Sequence, residues 1–260
     1  MITVDAVHDA IFAADLFLEY LPTVRLADGQ CVGCEALVRW RWRCGDEIIP
    51  PMDFIPLIEN TPVSGLLTYW VIDTMGQEMG DWMRRCDDIH VAVNVPPEVL
   101  GRGGVEYAGY KANLLSVRNR VVLEITERGA PDRLGLEELK EIADRDVMIA
   151  MDDVAVDDVA VDENNLLVLS RVPVDVIKVD RDFVASIGTD RATRSMERLE
   201  ALIAIGRHLV VAEGVEHAAQ AKRLNEIGVQ FAQGWLFSKP LRAEAMMDWH
   251  ARHAAGHAFY

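Results

Sequence analysis

Two patterns of hydrophobic and polar positions alternate along the chain. Near the N-terminus, two apolar-rich segments at residues 16–26 and 31–40 predict strands, and in the first of them apolar residues recur at every second position. The four residues between them, Ala27-Asp28-Gly29-Gln30, predict a turn. We therefore expect these two strands to pair as an antiparallel hairpin.

After the hairpin, apolar residues recur every three or four positions over residues 64–82, which predicts a helix. Ile72, Met75, Met79 and Trp82 share one face of this helix, and Ser64 is its predicted N-cap. Further strands are predicted at residues 89–95, 121–126, 147–151, 174–179, 209–212 and 229–232. Further helices are predicted up to about residue 117, at 131–145, over a stretch that places Met196, Leu199 and Ile203 on one face, at 217–227 and from about residue 243.

The order of these elements predicts the fold class. About six strand–helix units follow the opening hairpin, and such units form parallel sheets with right-handed crossovers. Successive strands are then expected to lie side by side, as they do in a barrel of the α/β class. No linker rich in Pro, Gly or Ser divides the chain, so we expect a single domain over residues 1–260.

Composition and charge narrow the classes of function. The 260 residues include 26 basic and 42 acidic side chains, a formal charge of −16, and half of the residues are hydrophobic. So apolar a chain is not intrinsically disordered, and so acidic a chain is not expected to bind a nucleic acid polymer. No Lys or Arg precedes Arg25, and no apolar run has the length of a membrane span. These features predict a cytoplasmic protein without a membrane partner.

The cysteines add one motif of low specificity. Cys31 and Cys34 form a single CxxC that runs directly into the second predicted strand. Residues three apart on a regular strand point to opposite faces, so one metal ion is not expected to bind both thiolates. No second CxxC is present, and free thiols are the expected state of all four cysteines.

Polar residues gather at the C-terminal ends of several predicted strands. A single charged residue at the end of a strand is usually just exposed to solvent. Here five or six strands end in polar residues, which solvation alone does not explain. The C-terminal ends of barrel strands meet at one mouth, where barrel enzymes carry their active sites. The residues concerned are Asn94, Glu124, Glu127, Asp152, Asp153, Lys178, Glu213, Glu216 and Gln233.

The chemistry of this set points to divalent cations. Carboxylate and amide oxygens are hard ligands that suit Mg²⁺ or Mn²⁺ better than zinc. Several carboxylates in one cavity repel each other unless cations neutralise them. Two such cations about 3.5–4 Å apart are the usual means of activating water in phosphoryl displacement. On the second strand, Glu35, Leu37 and Arg39 share a face, which places a candidate phosphate-binding arginine beside a candidate metal ligand.

With these residues in place, the chain resembles the EAL domains, which are bacterial cyclic di-GMP phosphodiesterases. The segment Glu35-Ala36-Leu37-Val38-Arg39-Trp40 matches the signature that names the family. Further similar segments follow in order, and together they cover nearly the whole chain: Leu123-Glu124-Ile125-Thr126-Glu127, Asp152-Asp153, residues 173–181, Ala212-Glu213-Gly214-Val215-Glu216 and residues 233–240. The resemblance implies a modified TIM (β/α)₈ barrel with one antiparallel strand. It also implies a homodimer that hydrolyses cyclic di-GMP to linear pGpG with Mg²⁺ or Mn²⁺, two ions per active site.

The resemblance also implies a role for each matching residue. Glu35, Asn94, Glu124 and Asp152 would hold one metal ion, and Asp152, Asp153 and Glu213 would hold the other. Lys178 would contact the attacking water, and Glu216 and Gln233 would support the site. Arg39 would contact a substrate phosphate beside Leu37, and Glu127 would anchor the loop after Asp153.

That loop departs from the family pattern and leaves an alternative open. Active members usually have Phe-Gly-Thr-Gly-Tyr-Ser-Ser after the Asp pair, whereas this chain repeats the letters DDVAV at residues 152–156 and 157–161. The segment from Asp152 to Asp175 is five residues longer than in the family pattern, and a tandem duplication of one DDVAV unit explains this difference. Both glycines of the family loop are absent, and with them the easy access of the backbone to positive φ. A catalytically impaired receptor for cyclic di-GMP, or an interaction module, is therefore the second hypothesis. A different metal-dependent barrel enzyme, such as an enolase-like lyase, is the third.

Overall fold

In a computed structural model of the chain, eight strands close into a barrel surrounded by helices. The structure describes residues 2–42, 45, 47–126, 130–154, 168, 171–189, 192–256 and 259, and for Asp153 it describes the backbone alone. Glu127, the second DDVAV copy and Cys44 lie outside the described residues. The predictions that concern the lengthened loop therefore stay predictions.

The strands run in the predicted order. They are β1 (Leu16–Arg25), β2 (Cys31–Arg41), β3 (Ile48–Ile49), β4 (His90–Val95), β5 (Val121–Ile125), β6 (Met148–Val154), β7 (Val176–Val179), β8 (Leu209–Ala212) and β9 (Phe231–Ala232). The α-helices are α1 (Val4–Phe12), α2 (Pro51–Ile58), α3 (Pro62–Arg85), α4 (Gly104–Lys111), α5 (Arg133–Ala143), α6 (Arg181–Ser186), α7 (Ala192–Ile205), α8 (Ala218–Glu226) and α9 (Ala243–His253). Two 3₁₀ segments, Pro97–Val99 and Leu115–Arg120, flank α4.

The strand order closes the sheet through its first two strands. From β1 the order is β9, β8, β7, β6, β5, β4 and β2, and β2 pairs with β1 again. β1 is antiparallel to both β2 and β9, whereas β2 and β4 through β9 pair in parallel. The short strand β3 extends β2 outside the barrel. The prediction of a modified TIM barrel with one antiparallel strand is confirmed.

The hydrophobic residues form an outer and an inner core. The outer core lies between the strands and the helices, and it buries long side chains such as Leu18, Met75 and Ile149 completely. The inner core is much smaller and consists of short side chains inside the barrel: Ala92, Val122, Ala150, Val176 and Val211. Because side chains alternate across each strand, the next inward residue on these strands lies two positions further toward the C-terminal mouth.

The predicted N-cap of α3 differs from the structure. Ser64 does not cap α3, because the helix begins at Pro62 and Thr61 is its N-cap, with Thr61 Oγ1 accepting from the Val63 N–H at 3.3 Å. The buried Ser64 donates instead to Glu98 Oε1 at 2.9 Å. Helices α1 and α2 had no counterpart among the predicted elements. No helix in the described ranges has the length and apolarity needed to span a bilayer.

A bulge in the hairpin corrects the expectation for the CxxC motif. Cys31 is opposite Val24 and Gly33 is opposite Thr23, so Val32 is an extra residue in β2. Cys34 is then opposite Pro22, two positions from Val24 on β1. Both thiols therefore lie on the same face and in the outer core, and the prediction of opposite faces is wrong. Both cysteines are free, in agreement with the prediction.

Candidate active site

Lys178 lies at the centre of an acidic cluster at the C-terminal mouth of the barrel. Its Nζ atom is 2.5 Å from Glu213 Oε1, 2.8 Å from Glu124 Oε2, 3.0 Å from Asp152 Oδ1 and 3.1 Å from Glu35 Oε2. The five side chains come from β2, β5, β6, β7 and the end of β8. Barrel closure thus brings together residues that are up to 178 positions apart in the sequence, Glu35 and Glu213.

Burial raises the free-energy cost of keeping the acids of this cluster ionised. Lys178 is 1% exposed, Glu124 is 3% exposed and Glu35 is 6% exposed. With all four acids ionised, the cluster would carry four negative charges and one positive charge, a net charge of −3. Such an excess of buried negative charge is costly unless a proton or a further cation neutralises it.

The pKa directions follow from this imbalance. Burial raises the pKa of Glu124 well above its usual range, the charge of Glu35 adds to the rise, and Lys178 opposes it. Burial likewise raises the pKa of Glu213 to about 8, against the attraction of Lys178. For Lys178 itself, burial opposes the charged form, but the surrounding carboxylates, Glu124 foremost, outweigh burial and raise its pKa. The ammonium group therefore stays charged.

The donor atoms fit a divalent cation. Asn94 lies beside the cluster, and its Nδ2 donates to Glu35 Oε1 at 2.8 Å, which leaves the amide oxygen of Asn94 as a further donor atom. Asp152 Oδ1 is buried and makes no directed hydrogen bond, although it is close to Lys178. All of these donors are oxygens, as Mg²⁺ and Mn²⁺ prefer. Among the described residues no three His, Cys, Asp or Glu side chains are already arranged to hold a metal ion, and the Nζ atom of Lys178 lies within 3.1 Å of all four acids.

Two substrate-binding candidates, Leu37 and Arg39, follow Glu35 on the same face of β2. Arg39 is largely buried, its Nε donates to Glu19 Oε2 at 2.8 Å, and its Nη1 donates to the carbonyl of Val38 at 3.0 Å. Glu19 is opposite Leu37 in the β1–β2 pair, so the salt bridge crosses the two strands of the hairpin. The guanidinium is thus held rigidly at the mouth of the barrel.

A groove of about 280 Å³ begins at Leu37, Asn94 and Asp152 and runs toward α2 and α3. Its walls are mainly apolar, with Glu59 and Glu98 among the polar exceptions. A cavity of this kind can receive a flat, partly apolar group while the charged part of the same molecule lies over the acids. The groove residues from α2 and α3 are Pro51, Met52, Ile55, Ile58, Ser64, Leu67, Thr68 and Val71.

Two further predicted site residues, Gln233 and Glu216, differ in burial. Gln233 is buried at the end of β9, and its Nε2 donates to Thr23 Oγ1 at 2.8 Å. Glu216 is exposed, and its backbone N–H donates to Gln220 Oε1 at 3.0 Å. In the described part of the chain no hydrogen bond or ion pair joins the Glu216 side chain to the cluster. The side chain of Asp153 and the whole of Glu127 lie outside the description.

The sequence analysis did not identify two residues of the site. Glu19 orients Arg39, and Thr23 orients Gln233. Both alternate with buried apolar residues along β1, so the alternation could have placed them on the inner face of the strand. Their partners could not be inferred from it, because cross-strand pairing depends on the register of the hairpin and on barrel closure.

Comparison with known proteins agrees with the resemblance to the EAL domains that the sequence motifs indicate. The family model described as "EAL domain" matches residues 4–240. A protein described as a probable cyclic di-GMP phosphodiesterase PdeB of Escherichia coli (strain K12) is 32% identical over 249 residues, which cover 95% of this chain and 46% of that protein. The cyclic di-GMP phosphodiesterase NbdA of Pseudomonas aeruginosa is 32% identical over 261 residues, which cover 94% of this chain and 31% of that protein. The chain thus spans less than half the length of these curated relatives.

Solved structures agree in fold. The PaMucR phosphodiesterase in complex with c-di-GMP superposes with a TM-score of 0.78 and 28% identity, covering 94% of this chain and 98% of that one. An EAL domain protein from Listeria monocytogenes EGD-e superposes with a TM-score of 0.77 and 24% identity, covering 96% of this chain and 98% of that one. The second likeness concerns the fold alone.

Proposed function

Because the chain belongs to the EAL domain family, we propose that it hydrolyses cyclic di-GMP to linear pGpG with Mg²⁺ or Mn²⁺, two ions per active site. The observation that carries the proposal is the convergence of four carboxylates on Lys178 at the barrel mouth, beside a groove with apolar walls. Relatives described as cyclic di-GMP phosphodiesterases support the same substrate.

Within this proposal the acids hold the cations. Glu35, Asn94, Glu124 and Asp152 would hold one ion, and Asp152, Asp153 and Glu213 would hold the other. When bound, the two cations supply positive charge for the phosphate oxygens and favour ionisation of water at neutral pH. The net negative charge of the cluster supports this assignment, since the ammonium group of Lys178 can neutralise only one of the four carboxylate charges.

Lys178 would act as a hydrogen-bond donor rather than as a base. Its raised pKa keeps the ammonium charged, so it has protons to donate and no lone pair to offer. In the reaction the oxygen of water bonds to phosphorus, the bond from phosphorus to the ribose 3′ oxygen breaks, and that oxygen takes up a proton. Lys178 would contact the attacking water, and its ammonium group would stabilise the negative charge that develops on the water oxygen as a proton leaves. Glu216 and Gln233 would support the site, and Glu127 would anchor the following loop.

Arg39 and Leu37 would position the substrate. The hydrogen bonds of Arg39 described here use Nε and Nη1, so Nη2 is the group that would donate to a phosphate oxygen. Leu37 lies at the end of the groove where an apolar surface can contact a base. The anchoring of Arg39 by Glu19 supports this role, because a guanidinium held in place loses little entropy when it binds phosphate.

The direct test is incubation of the purified protein with cyclic di-GMP and Mg²⁺ or Mn²⁺, followed by chromatography of the products. We expect pGpG with at least one of the two metals and none in the presence of EDTA. Glu35→Gln should abolish turnover and weaken metal binding in calorimetry, whereas the exposed Glu141→Gln should change neither. Unchanged turnover in Glu35→Gln would overturn the assignment of the site.

The unusual sequence after Asp153 favours a second candidate, a cyclic di-GMP receptor without activity. Absence of pGpG with both metals, together with retained binding of cyclic di-GMP, would establish it. A homodimer in the bacterial cytoplasm, built from a single EAL-type domain over residues 1–260, belongs to the same proposal. Light scattering of the purified chain with and without the metal tests the dimer.

A further inference from the structure

Two acidic side chains, Glu59 and Glu98, lie in the wall of the groove that runs from the acidic cluster toward α2 and α3. The rest of this wall is mainly apolar, and the reaction proposed above uses neither acid. Glu98 belongs to the 3₁₀ segment that follows β4, four positions after Asn94. It therefore lies on the same connection that carries a candidate metal ligand, within reach of a molecule bound at the mouth.

The carboxylate of Glu98 is held by one of its two oxygens. Oε1 accepts from Ser64 Oγ at 2.9 Å and from the backbone N–H of Asn60 at 3.1 Å. Ser64 is 3% exposed, so this anchor is fixed in the packing of α3. In the part of the chain that the structure describes, no hydrogen bond or ion pair uses Oε2 of Glu98. An oriented carboxylate thus keeps one oxygen for a ligand.

This oxygen restricts the group that the groove can bind. Oε2 would repel a phosphate, and a purely apolar ring would remove water from it without replacing the lost hydrogen bonds. A ring with two adjacent N–H donors on one edge replaces those hydrogen bonds, because an ionised carboxylate oxygen accepts more than one of them. An edge that presents a lone pair to Oε2 is disfavoured for the opposite reason.

Guanine carries such an edge. Its N1–H and its 2-amino group are neighbours, and both are donors. Adenine has an unprotonated ring nitrogen in place of the N1–H, and the lone pair of that nitrogen would face the carboxylate. Proteins that bind an unstacked base read this edge by hydrogen bonds. A site built to pair with a donor strongly rejects an analogue that lacks it, since its own polar groups are then left unpaired.

We propose that Glu98 selects guanine: its Oε2 accepts from the N1–H and the 2-amino group of one base of the cyclic dinucleotide, while Ser64 and Asn60 hold Oε1. The apolar walls of the groove would contact the faces of the same base. This inference rests on the proposed function, because it takes cyclic di-GMP as the ligand of the groove. It adds the residue that distinguishes guanine from adenine.

The test is isothermal titration calorimetry of the full chain with three ligands that differ only in the base: cyclic di-GMP, cyclic di-IMP and cyclic di-AMP. Hypoxanthine, the base of cyclic di-IMP, keeps the N1–H but lacks the 2-amino group. Binding is measured in EDTA, and chromatography checks that each ligand stays intact. We expect the affinity to fall at least tenfold from cyclic di-GMP to cyclic di-IMP, and at least tenfold again to cyclic di-AMP. Equal affinity for the three ligands would overturn the proposal without any variant.

Glu98→Gln tests the residue itself. The variant keeps the size of the side chain and an oxygen for Ser64 and Asn60, but it presents an amide N–H₂ where Oε2 was. We expect cyclic di-GMP to bind at least tenfold more weakly and cyclic di-AMP to bind more tightly, because the amide can donate to N1 of adenine. Glu141→Gln removes the same charge at an exposed position on α5 and should leave the ratio of the two affinities unchanged. An unchanged ratio in Glu98→Gln, or a loss of discrimination in Glu59→Gln instead, would overturn the proposal.

The outcome is independent of turnover. If no pGpG forms with either metal but Glu98→Gln changes the ratio, hydrolysis is wrong and the selection of guanine stands. If pGpG forms and the ratio does not change, hydrolysis stands and Glu98 is not the selecting residue. A parent chain that binds none of the three ligands, in EDTA and with Mg²⁺, would overturn both.

Discussion

The Nζ atom of Lys178 lies 2.5 Å from Glu213 Oε1, and three further carboxylates surround the same ammonium group. A single buried cation thus joins acids from four other strands. This relationship makes Lys178 a structural residue of the metal-free protein as well as a candidate catalytic one, and it leads to the first prediction.

Lys178→Met should destabilise the metal-free protein. The substitution keeps the length of the side chain but leaves four carboxylates, of which Glu35 and Glu124 are buried, without their cation. Loss of one partner from a buried ion pair costs about 3–5 kcal/mol. Urea unfolding followed by circular dichroism in EDTA measures the loss. Lys222→Met, at an exposed position on α8, is the control and should change the free energy of unfolding little. Equal stability of Lys178→Met and the parent chain would contradict the prediction.

Arg39→Ala should weaken the binding of cyclic di-GMP. A charge-assisted hydrogen bond contributes about 1.5–3 kcal/mol, so a loss of roughly 10- to 150-fold in affinity is expected in calorimetry. Arg39→Lys should recover only part of the loss, because an ammonium group cannot bond to Glu19 and to a phosphate with the geometry of a guanidinium. Full affinity in Arg39→Ala would show that Arg39 serves only its salt bridge with Glu19.

Gly234→Ala should destabilise the protein strongly. Gly234 has φ +153, and a Cβ atom there would overlap with the carbonyl oxygen of Val215, which the backbone can accommodate only by moving. Since Gln233 precedes it, the strain should also displace that amide. Gly109→Ala is the matched control, because its Cβ would meet nothing within 4 Å and alanine favours the helix. We expect Gly109→Ala to raise stability by about 0.5–1 kcal/mol and Gly234→Ala to lower it, as measured by urea unfolding.

Cys31 and Cys34 should not react with iodoacetamide in the native protein. Burial raises the pKa of Cys31 to about 12, and burial also raises the pKa of Cys34. Only the thiolate reacts, so at pH 9 roughly one Cys31 side chain in a thousand would be reactive. Peptide mass spectrometry should find both cysteines unlabelled from pH 7 to pH 9 and fully labelled in urea. Labelling in the native protein at pH 8 that is as fast as labelling in urea would contradict the raised pKa values.

The site residues illustrate how far the sequence leads. Glu124, Lys178 and Glu213 could be identified without coordinates because each stands at the end of an apolar segment and belongs to a recognisable motif. Their mutual distances could not be inferred, because strand periodicity gives the face of a side chain but not its position relative to other strands. The CxxC motif shows the same limit, since one extra residue in β2 reversed the inference that alternation gave.

The sequence by itself determined the succession of strands and helices, the α/β barrel class and the residues at the C-terminal mouth. These depend on local periodicity and on motifs, which are properties of neighbouring positions. Only the tertiary structure decided that Lys178 lies among four acids, that Glu19 holds Arg39, and that Glu98 and Asp152 line one groove. Those features depend on strand register and on the closure of β1 against β2 and β9, which no local pattern encodes.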